Sequence, residues 1–190
     1  MLVMLVKNIF GKKEPSIDAS EFFASLGIDH VETQQPYSKE SLAELSSWSP
    51  DVMVMLGGFG IVKEPLLSLA PQGILSYHHG NMRKYRGQPV GFWELYHDES
   101  QMGVTVQRLS AGIDKGTPIV EKDIPIEKGD DVNSLCARAM NSSTGMMAEA
   151  LQLIMDPAFC PNQIREFGPI YTLPNLRQYL RLKIKLCFRR

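Results

Sequence analysis

The chain has 190 residues, 44% of them hydrophobic, which suits one globular domain with a sizeable core or one domain with a short extension. Its formal net charge of −1 gives no overall electrostatic case for a nucleic-acid or membrane partner. The three cysteines, Cys136, Cys160 and Cys187, form no C-x-x-C pattern and fit reduced cytoplasmic thiols better than disulfides or a zinc site. A cytoplasmic location is therefore expected. No apolar run approaches the roughly 18 to 20 residues that span a bilayer, so no transmembrane segment is expected.

Short apolar runs alternate with amphipathic runs along the chain, and this alternation predicts strands and helices in turn. In chain order we predict a strand at 2–6, a helix at 17–26 capped by Ser16, a helix at 38–48, a strand at 51–56, a helical turn at 64–69, a strand at 74–77, a helix at 89–97, strands at 103–109 and 118–126, and one long helix at 132–154. Strands alternating with helices predict an α/β domain with a largely parallel, doubly wound, Rossmann-like sheet.

The stretch from Gly73 to Gly87, G-I-L-S-Y-H-H-G-N-M-R-K-Y-R-G, joins an apolar run to a turn dense in polar and cationic groups. Ligands of such sheets are held at the carboxyl ends of the strands. Residues two apart on a strand share a face, so Ser76 and His78 are expected to point one way and Tyr77 the other. A histidine at this position indicates a proton-handling site. The alternative is a histidine satisfied by local backbone partners.

A second polar loop, R-L-S-A-G-I-D-K-G-T-P-I-V, separates the predicted strands at 103–109 and 118–126. Asp114 lies in it between Gly112 and Gly116, which let the backbone turn sharply and bring a carboxylate close to a ligand. An aspartate in such a connection is commonly only a turn former. The order of the strand-end histidine, the K-Y-R-G-Q-P turn, the aromatic run and the G-I-D-K-G loop favours a shared site.

Together these motifs resemble the tetrahydrofolate-dependent formyltransferases, which include glycinamide ribonucleotide, methionyl-tRNA and nucleotide-sugar N-formyltransferases. The signature of that family runs roughly N-x-H-(P/G)-S-L-L-P-x-Y-R-G, then an aromatic-bearing helix, G-V-T, and x-G-I-D-x-G-P-I. This chain has S-Y-H-H-G-N-M-R-K-Y-R-G at 76–87, G-V-T at 103–105 and G-I-D-K-G-T-P-I at 112–119. The resemblance covers about residues 17–130, and the motifs are specific only in combination.

The resemblance implies transfer of a formyl group from 10-formyltetrahydrofolate, the formyl donor, to an amine. His78 matches the catalytic histidine that assists proton transfer and holds the oxyanion, and Asp114 matches the aspartate that orients and charges this histidine or relays the proton. The implied site residues are His78, Asp114 and Ser76 for catalysis, Gly60, Ile61, Val62, Ala111, Gly112 and Ile113 for the donor, and Asn81, Arg83 and Tyr85 for the acceptor. No metal site is expected, because adjacent strand residues His78 and His79 face opposite ways.

The chain departs from the family pattern in three ways. The catalytic asparagine of the family is Ser76 here, which has one donor proton rather than two, although Asn81 could substitute through a different loop path. The family's L-L-P is N-M-R, and the extra cation, Arg83, could recognise a phosphate or carboxylate or be solvated. The chain also begins about one βα unit late, so either residues 2–6 take the central strand position or the chain is a shortened form with an impaired acceptor site.

The last stretch of the chain predicts a basic amphipathic helix. Leu176, Leu180, Ile184 and Phe188 are spaced four apart, with Arg177, Arg181, Lys185 and Arg189 beside them. We assign residues 1–160 to the formyltransferase-like domain and 161–190 to a C-terminal extension. The helix could contact a polyanion, an acidic partner or a membrane surface, pack on the domain with its cations in water, or begin something longer.

The favoured hypothesis is a formyltransferase acting on a small-molecule amine such as an amino sugar on a nucleotide. A tRNA acceptor is not expected, because the tRNA enzymes carry a further domain that the residues after Asp156 are too few to form. Two alternatives keep the fold but change the chemistry. One is a catalytically weak folate- or nucleotide-binding module, and the other is a hydrolase of 10-formyltetrahydrofolate, in which water replaces the amine.

Overall fold

The computed structural model describes residues 19–30, 32–56 and 60–188, so the predicted strand at 2–6 and the cap Ser16 lie outside the described residues. The chain divides into two units, Met1–Ser76 and Tyr77–Arg190. The described part of each unit contains most of the elements that the sequence predicts, with shorter bounds at most positions.

The described part of the first unit contains two helices, one complete strand and a 3₁₀ turn. Its elements are α1 (Ala19–Ser25), α2 (Lys39–Ser47), β1 (Met53–Met55) and the 3₁₀ turn Leu66–Ser68. Ser38 caps α2, because its side-chain oxygen accepts the Ser41 amide N–H at 3.1 Å. The strand β2 (Ile74–His78) runs from this unit into the second. It pairs in parallel with β1 through residues 74–76.

The second unit contains most of the regular structure. After β2 its elements are β3 (Arg86–Gly87), α3 (Phe92–Tyr96), β4 (Gln101–Arg108), β5 (Thr117–Pro125), α4 (Val132–Ser142), α5 (Met146–Met155), β6 (Ile170–Tyr171) and α6 (Leu176–Phe188). The strands β4 and β5 form a long antiparallel ladder, whereas β3 and β6 pair in parallel. A short loop can join β4 to β5 only as antiparallel neighbours. The α/β class is therefore confirmed, with mixed pairing that is parallel at β1–β2 but not at β4–β5.

The prediction of one long helix at 132–154 is wrong, because the structure has α4 and α5 with a break between them. The break lies at the sequence S-S-T-G, residues 142–145. The hydroxyl of Ser143 donates to the Met140 carbonyl, and that of Thr144 to the Asn141 carbonyl, both at 2.9 Å. Such side-chain bonds to the backbone compete with helix continuation, and Gly145 then begins the next helix.

The strand β4 is the buried centre of the second unit. Met102, Val104 and Val106 are completely buried, and so are Thr105 and Gln107 on the opposite face. A strand covered on both faces provides a rigid base for the loop that follows it at 109–116. None of the helices in the described ranges is long and apolar enough to span a membrane.

The segment after α5 runs back along the second unit before α6 begins. The Gly168 amide donates to the Met82 carbonyl at 2.9 Å, and Trp93 Nε1 donates to the Thr172 carbonyl at 3.2 Å. The predicted helix near the C-terminus is confirmed as α6. The domain boundary predicted at residue 160 stays a prediction, but the structure ties residues 168–172 to the turn that follows β2.

Candidate active site

The strand β2 ends in His78, whose ring is 7% exposed and is held from both sides. Nε2 lies 2.9 Å from the backbone oxygen of Tyr85, and Nδ1 lies 3.4 Å from Oδ1 of Asp114. A carbonyl oxygen can only accept, so Nε2 donates to it. The other nitrogen then faces a carboxylate, an arrangement that favours the doubly protonated imidazolium. The local backbone partner of the alternative interpretation is present together with a carboxylate, and proton handling by this histidine stays a prediction.

Asp114 is held in place by three groups of the second unit. Its Oδ2 accepts the Gly87 amide N–H at 2.8 Å, and its Oδ1 accepts Gln107 Nε2 at 3.3 Å and faces His78. The loop turns through Gly112 at φ +113° and Asp114 itself at φ +44°. The sequence order of the motifs predicts that His78 and Asp114 meet, and the structure brings them together.

Gly116 has a different role from the one that its loop position predicts. A Cβ atom there would lie 2.2 Å from the Arg108 carbonyl oxygen and 2.5 Å from Gln107 Oε1. Close approach of two backbone segments therefore requires a glycine at this position, which is not among those with positive φ. The Gly116 amide donates to Gln107 Oε1 at 2.9 Å, which fixes the amide of that glutamine.

Gln107 is a site residue that the sequence reasoning missed. It is completely buried on β4, and the register of the β4–β5 ladder shifts between Val106 and Gln107. Its amide bridges Gly116 to Asp114. The only sequence signal for this role is a glutamine in a strand rich in Val and Thr.

The charges of the His78–Asp114 pair stabilise each other. Burial lowers the pKa of His78, but the hydrogen bond and charge of Asp114 and the Tyr85 carbonyl outweigh it and raise the pKa above its usual 6.5. Burial raises the pKa of Asp114, but His78, the Gly87 amide and Gln107 outweigh it and hold the pKa below 3.8. The pair is therefore an imidazolium and a carboxylate over a range that includes mildly acidic pH.

Glu94 on α3 is a second residue that the sequence reasoning missed. Its carboxyl group is 3% exposed, and burial raises its pKa to about 7. Glu94 lines a cavity of about 10 Å³ with His78, His79 and Trp93, which is room for about one water molecule. Burial lowers the pKa of His79, and its buried Nε2 has no hydrogen-bond partner among the described residues. Two further ionisable groups, Glu94 and His79, therefore lie beside the His78–Asp114 pair.

The predicted acceptor residues Asn81 and Arg83 make local and long-range contacts within the second unit. Asn81 Oδ1 accepts the Arg83 amide N–H at 2.9 Å, which is the pattern of a turn-forming side chain. The Arg83 guanidinium makes a two-point ion pair with Glu121 on β5, at the surface. In the structure this cation is therefore paired rather than merely solvated, and acceptor binding by either residue stays a prediction.

Tyr85, the third predicted acceptor residue, is buried within a polar network. Its hydroxyl donates to Glu99 Oε1 at 3.0 Å and lies 3.1 Å from His97 Nδ1. Burial and the charge of Glu99 raise the pKa of Tyr85. The structure thus gives this residue a positioning role, because its carbonyl holds His78.

The remaining predicted residues lie in both units. In the first unit Ser76 is buried opposite Met55, Gly60 and Ile61 are exposed, and Val62 is buried. In the second unit Ala111, Gly112 and Ile113 form an exposed loop, where the Ile113 carbonyl accepts Arg86 Nη1 at 3.1 Å. Their roles stay predictions. Within the described ranges no group of three or more His, Cys, Asp or Glu side chains could hold a metal ion.

Comparison with known sequences gives one family and a set of relatives. A family model described as formyl transferase matches residues 7–151. The methionyl-tRNA formyltransferase of Caldanaerobacter subterraneus subsp. tengcongensis is 27% identical over 150 residues, which are 75% of this chain and 48% of the relative. That of Koribacter versatilis is 29% identical over 114 residues, 60% of this chain and 36% of the relative. The chain spans about half the length, or less, of the curated relatives that it matches.

Comparison with solved structures gives the same fold. The formyltransferase PseJ from Anoxybacillus kamchatkensis, in complex with UDP-4,6-dideoxy-4-formamido-L-AltNAc and tetrahydrofolate, aligns with a TM-score of 0.66 and 20% identity over 94% of this chain and 88% of that chain. Glycinamide ribonucleotide transformylase 1 from Symbiobacterium toebii aligns with a TM-score of 0.62 and 22% identity over 76% and 74%. At these identities the likeness establishes a shared fold.

Proposed function

Because the chain belongs to the formyl transferase family, we propose that it transfers a formyl group from 10-formyltetrahydrofolate to the amine of a small-molecule acceptor. The observation that carries the proposal is the buried His78–Asp114 pair, which lies on the two motifs that characterise the family. A charged imidazolium in a water-poor setting can stabilise the negative charge that develops when an amine attacks a formyl carbon.

The residues proposed to hold the donor suit a flat heterocycle. The loop at 111–113 is exposed and carries only small or apolar side chains, so its backbone groups are accessible. Of the first-unit residues predicted to hold the donor, Gly60 and Ile61 are exposed and Val62 is buried, and their part in binding stays a prediction. The PseJ complex, which contains tetrahydrofolate, supports a folate donor. The donor would supply the formyl carbon, and the protein would supply the charges around it.

The two members of the central pair have different proposed tasks. His78 is the more buried, and both of its ring nitrogens are directed at fixed acceptors, so it acts as a placed positive charge. Asp114 is 23% exposed, and it is therefore the member through which a proton reaches solvent after the amine has reacted. It also keeps the ring oriented and charged, since it raises the pKa of His78.

A nucleotide-linked amino sugar is the acceptor class that we propose. Support comes from the likeness to PseJ along 94% of this chain, because that complex holds a UDP-sugar carrying a formamido group. A tRNA acceptor is the second candidate, since both of the curated relatives described above are methionyl-tRNA formyltransferases. The cytoplasmic location that the cysteines predict agrees with both candidates.

The test is a set of incubations of the full chain with 10-formyltetrahydrofolate. Release of tetrahydrofolate is followed with UDP-amino sugars, with methionyl-tRNA and with no acceptor, and mass spectrometry looks for a formylated product. We expect turnover with an amino sugar and a loss of about 10²-fold or more in the turnover rate of His78→Asn. Lys115→Ala, which alters an exposed residue of the loop that carries Asp114, should change the rate little.

Each other outcome identifies a different function. Formylated methionyl-tRNA would establish the second candidate. Release of tetrahydrofolate without acceptor, at the same rate with and without amines, would establish a hydrolase. Donor binding in calorimetry without any turnover would leave a binding module, which Ser76 in place of asparagine motivates. Absence of both binding and turnover would refute the proposal.

A further inference from the structure

The helix α6 is attached to the second unit along one side only. Leu182 of α6 is buried, and Lys185 Nζ donates to the Tyr96 carbonyl at 2.7 Å while forming an ion pair with Asp98. The Arg181 guanidinium lies 5.3 Å from the centre of the Tyr96 ring. These contacts fix which face of α6 points away from the unit.

The outward face of α6 is apolar. Leu176, Leu180, Ile184 and Phe188 recur every four residues and are 73%, 50%, 60% and 86% exposed, and we call this row the apolar stripe. Single exposed apolar side chains are ordinary on protein surfaces, but a continuous row over more than three helical turns is not. A row of this kind indicates a surface that is covered by something apolar.

The charge of α6 is segregated from that of the remaining chain. The last 15 residues contain six lysines and arginines and no aspartate or glutamate. The rest of the chain carries all 21 carboxylates against 14 cations, so the overall net charge of −1 conceals a basic helix on an acidic body. Arg177 and Lys183 are exposed on the same helix as the apolar stripe.

We propose that α6 lies on an anionic lipid bilayer, with the apolar stripe at the acyl boundary and the cations at the headgroup phosphates. An exposed apolar face bordered by lysine and arginine is the pattern of an interfacial helix. The acidic body is repelled by the same surface, so the charge segregation also orients the molecule. The helix is already folded and held, and binding therefore carries little ordering cost.

Charge argues against the other occupants. A nucleic acid would pair with the cations but would leave the apolar stripe in water. A second copy pairing stripe to stripe would bring the exposed Arg177 and Lys183 of both copies together, with no carboxylate on either helix to neutralise them. The surface of an anionic bilayer, which is negatively charged outside and apolar beneath, satisfies both features.

The test is co-sedimentation of the full chain with vesicles of phosphatidylcholine alone and of phosphatidylcholine with phosphatidylserine. We expect binding to the anionic vesicles that weakens at high salt, and little binding to the neutral ones. Leu180→Ser with Ile184→Ser should lower the affinity by about tenfold or more, since each buried aliphatic side chain contributes on that scale. The matched control, Met140→Ser with Met155→Ser, removes equally exposed side chains from α4 and α5 and should bind normally.

A charge variant tests the proposal that the cations of α6 lie at the headgroup phosphates. Arg177→Glu with Lys183→Glu should lower binding to anionic vesicles by about tenfold or more, whereas Lys128→Glu on a loop elsewhere should have little effect. All the altered side chains are exposed, and circular dichroism checks that each variant is folded. Absence of vesicle binding, equal binding to neutral vesicles, or equal losses in the controls would overturn the proposal. Self-association that the serine variant abolishes, without vesicle binding, would assign the stripe to a second copy instead.

Discussion

Replacing Asp114 by asparagine keeps the shape of the side chain but removes its charge, and the structure defines the consequence. The Gln107 amide cannot rotate freely, because its Oε1 accepts the Gly116 amide at 2.9 Å, so its Nε2 donates towards Asp114. The Gly87 amide donates to the other carboxylate oxygen at 2.8 Å. An asparagine has a single acceptor oxygen and therefore leaves one of these two donors facing an NH₂ group.

The variant should lose both stability and rate, by different amounts. An unsatisfied buried donor costs about 1–3 kcal/mol, so the free energy of unfolding should fall by that amount near neutral pH. The larger effect is on His78, which loses its counter-charge while remaining buried, so its pKa falls and the ring is neutral. Loss of a placed charge at the oxyanion should lower kcat by about 10²–10³-fold, equivalent to about 2.7–4 kcal/mol.

The pH dependence of the stability loss identifies its cause. In the wild-type protein the raised pKa of His78 contributes stability that is fully present below about pH 6.5 and is lost as pH rises through the folded-state value. The lowered pKa of Asp114 contributes stability that is present above about pH 3.8 and is lost as pH falls through the folded-state value. One ion pair underlies both contributions, so Asp114→Asn should differ most from wild type between these limits.

Three measurements together test this reasoning. NMR titration of the histidine rings gives the pKa of His78 in both proteins, urea unfolding gives the stability across pH, and the tetrahydrofolate assay gives kcat. Lys115→Ala serves as the control, because it alters an exposed residue of the loop that carries Asp114 and should have little effect on these three quantities. An unchanged pKa of His78 in Asp114→Asn, or a fall in kcat of less than about tenfold, would refute the claim that the carboxylate charges the ring.

Three further substitutions test other parts of the structure. Glu94 has a pKa of about 7 against an ordinary 4.5, so the wild-type protein loses stability as pH rises between these values. In urea unfolding, the free energy of unfolding of Glu94→Gln should exceed that of the wild type by up to about 3 kcal/mol well above pH 7 and should equal it below pH 4.5. A gain that did not vary with pH would contradict this. Gly116→Ala should lower stability by about 1–3 kcal/mol in thermal unfolding because its Cβ would meet the Arg108 carbonyl, whereas Gly145→Ala meets nothing within 4 Å and should be nearly neutral. Ser76→Asn should raise kcat by up to about 10²-fold if a second oxyanion donor is what the site lacks, and an unchanged kcat would show that this position does not reach the oxyanion.

The sequence predicts the central pair of the site because motif order carries that information. His78 ends an apolar run and Asp114 lies between two glycines, so each stands out locally. Gln107 and Glu94 do not stand out, since a single polar residue in a strand or a helix usually indicates a solvent-facing position. Their burial depends on the pairing of β4 with β5 and on the packing of α3, and both are tertiary features.

The helix α6 is likewise predicted by the local sequence, whereas the side on which it docks depends on tertiary contacts. Periodicity predicts the helix, and packing of the Leu176 and Leu180 side on the domain is one of the alternatives that the sequence leaves open. The structure buries the side of Leu182 instead, because Tyr96 offers its ring to Arg181 and its carbonyl to Lys185. A pattern that contains two apolar sides cannot by itself indicate which one docks.

Different contacts hold the candidate site and the apolar stripe in place, and this determines whether binding at one affects the other. The Gly87 amide that holds Asp114 belongs to β3, which pairs with β6 through two residues and is fixed further by Arg86 Nε on the Gly168 carbonyl at 2.6 Å. The contacts that hold α6 are different ones, at Leu182 and Lys185. These two sets of contacts share no residue, and coupling between sites requires a joining element that has two alternative arrangements. We therefore expect lipid binding at α6 to place the protein at a surface without altering the pKa of His78.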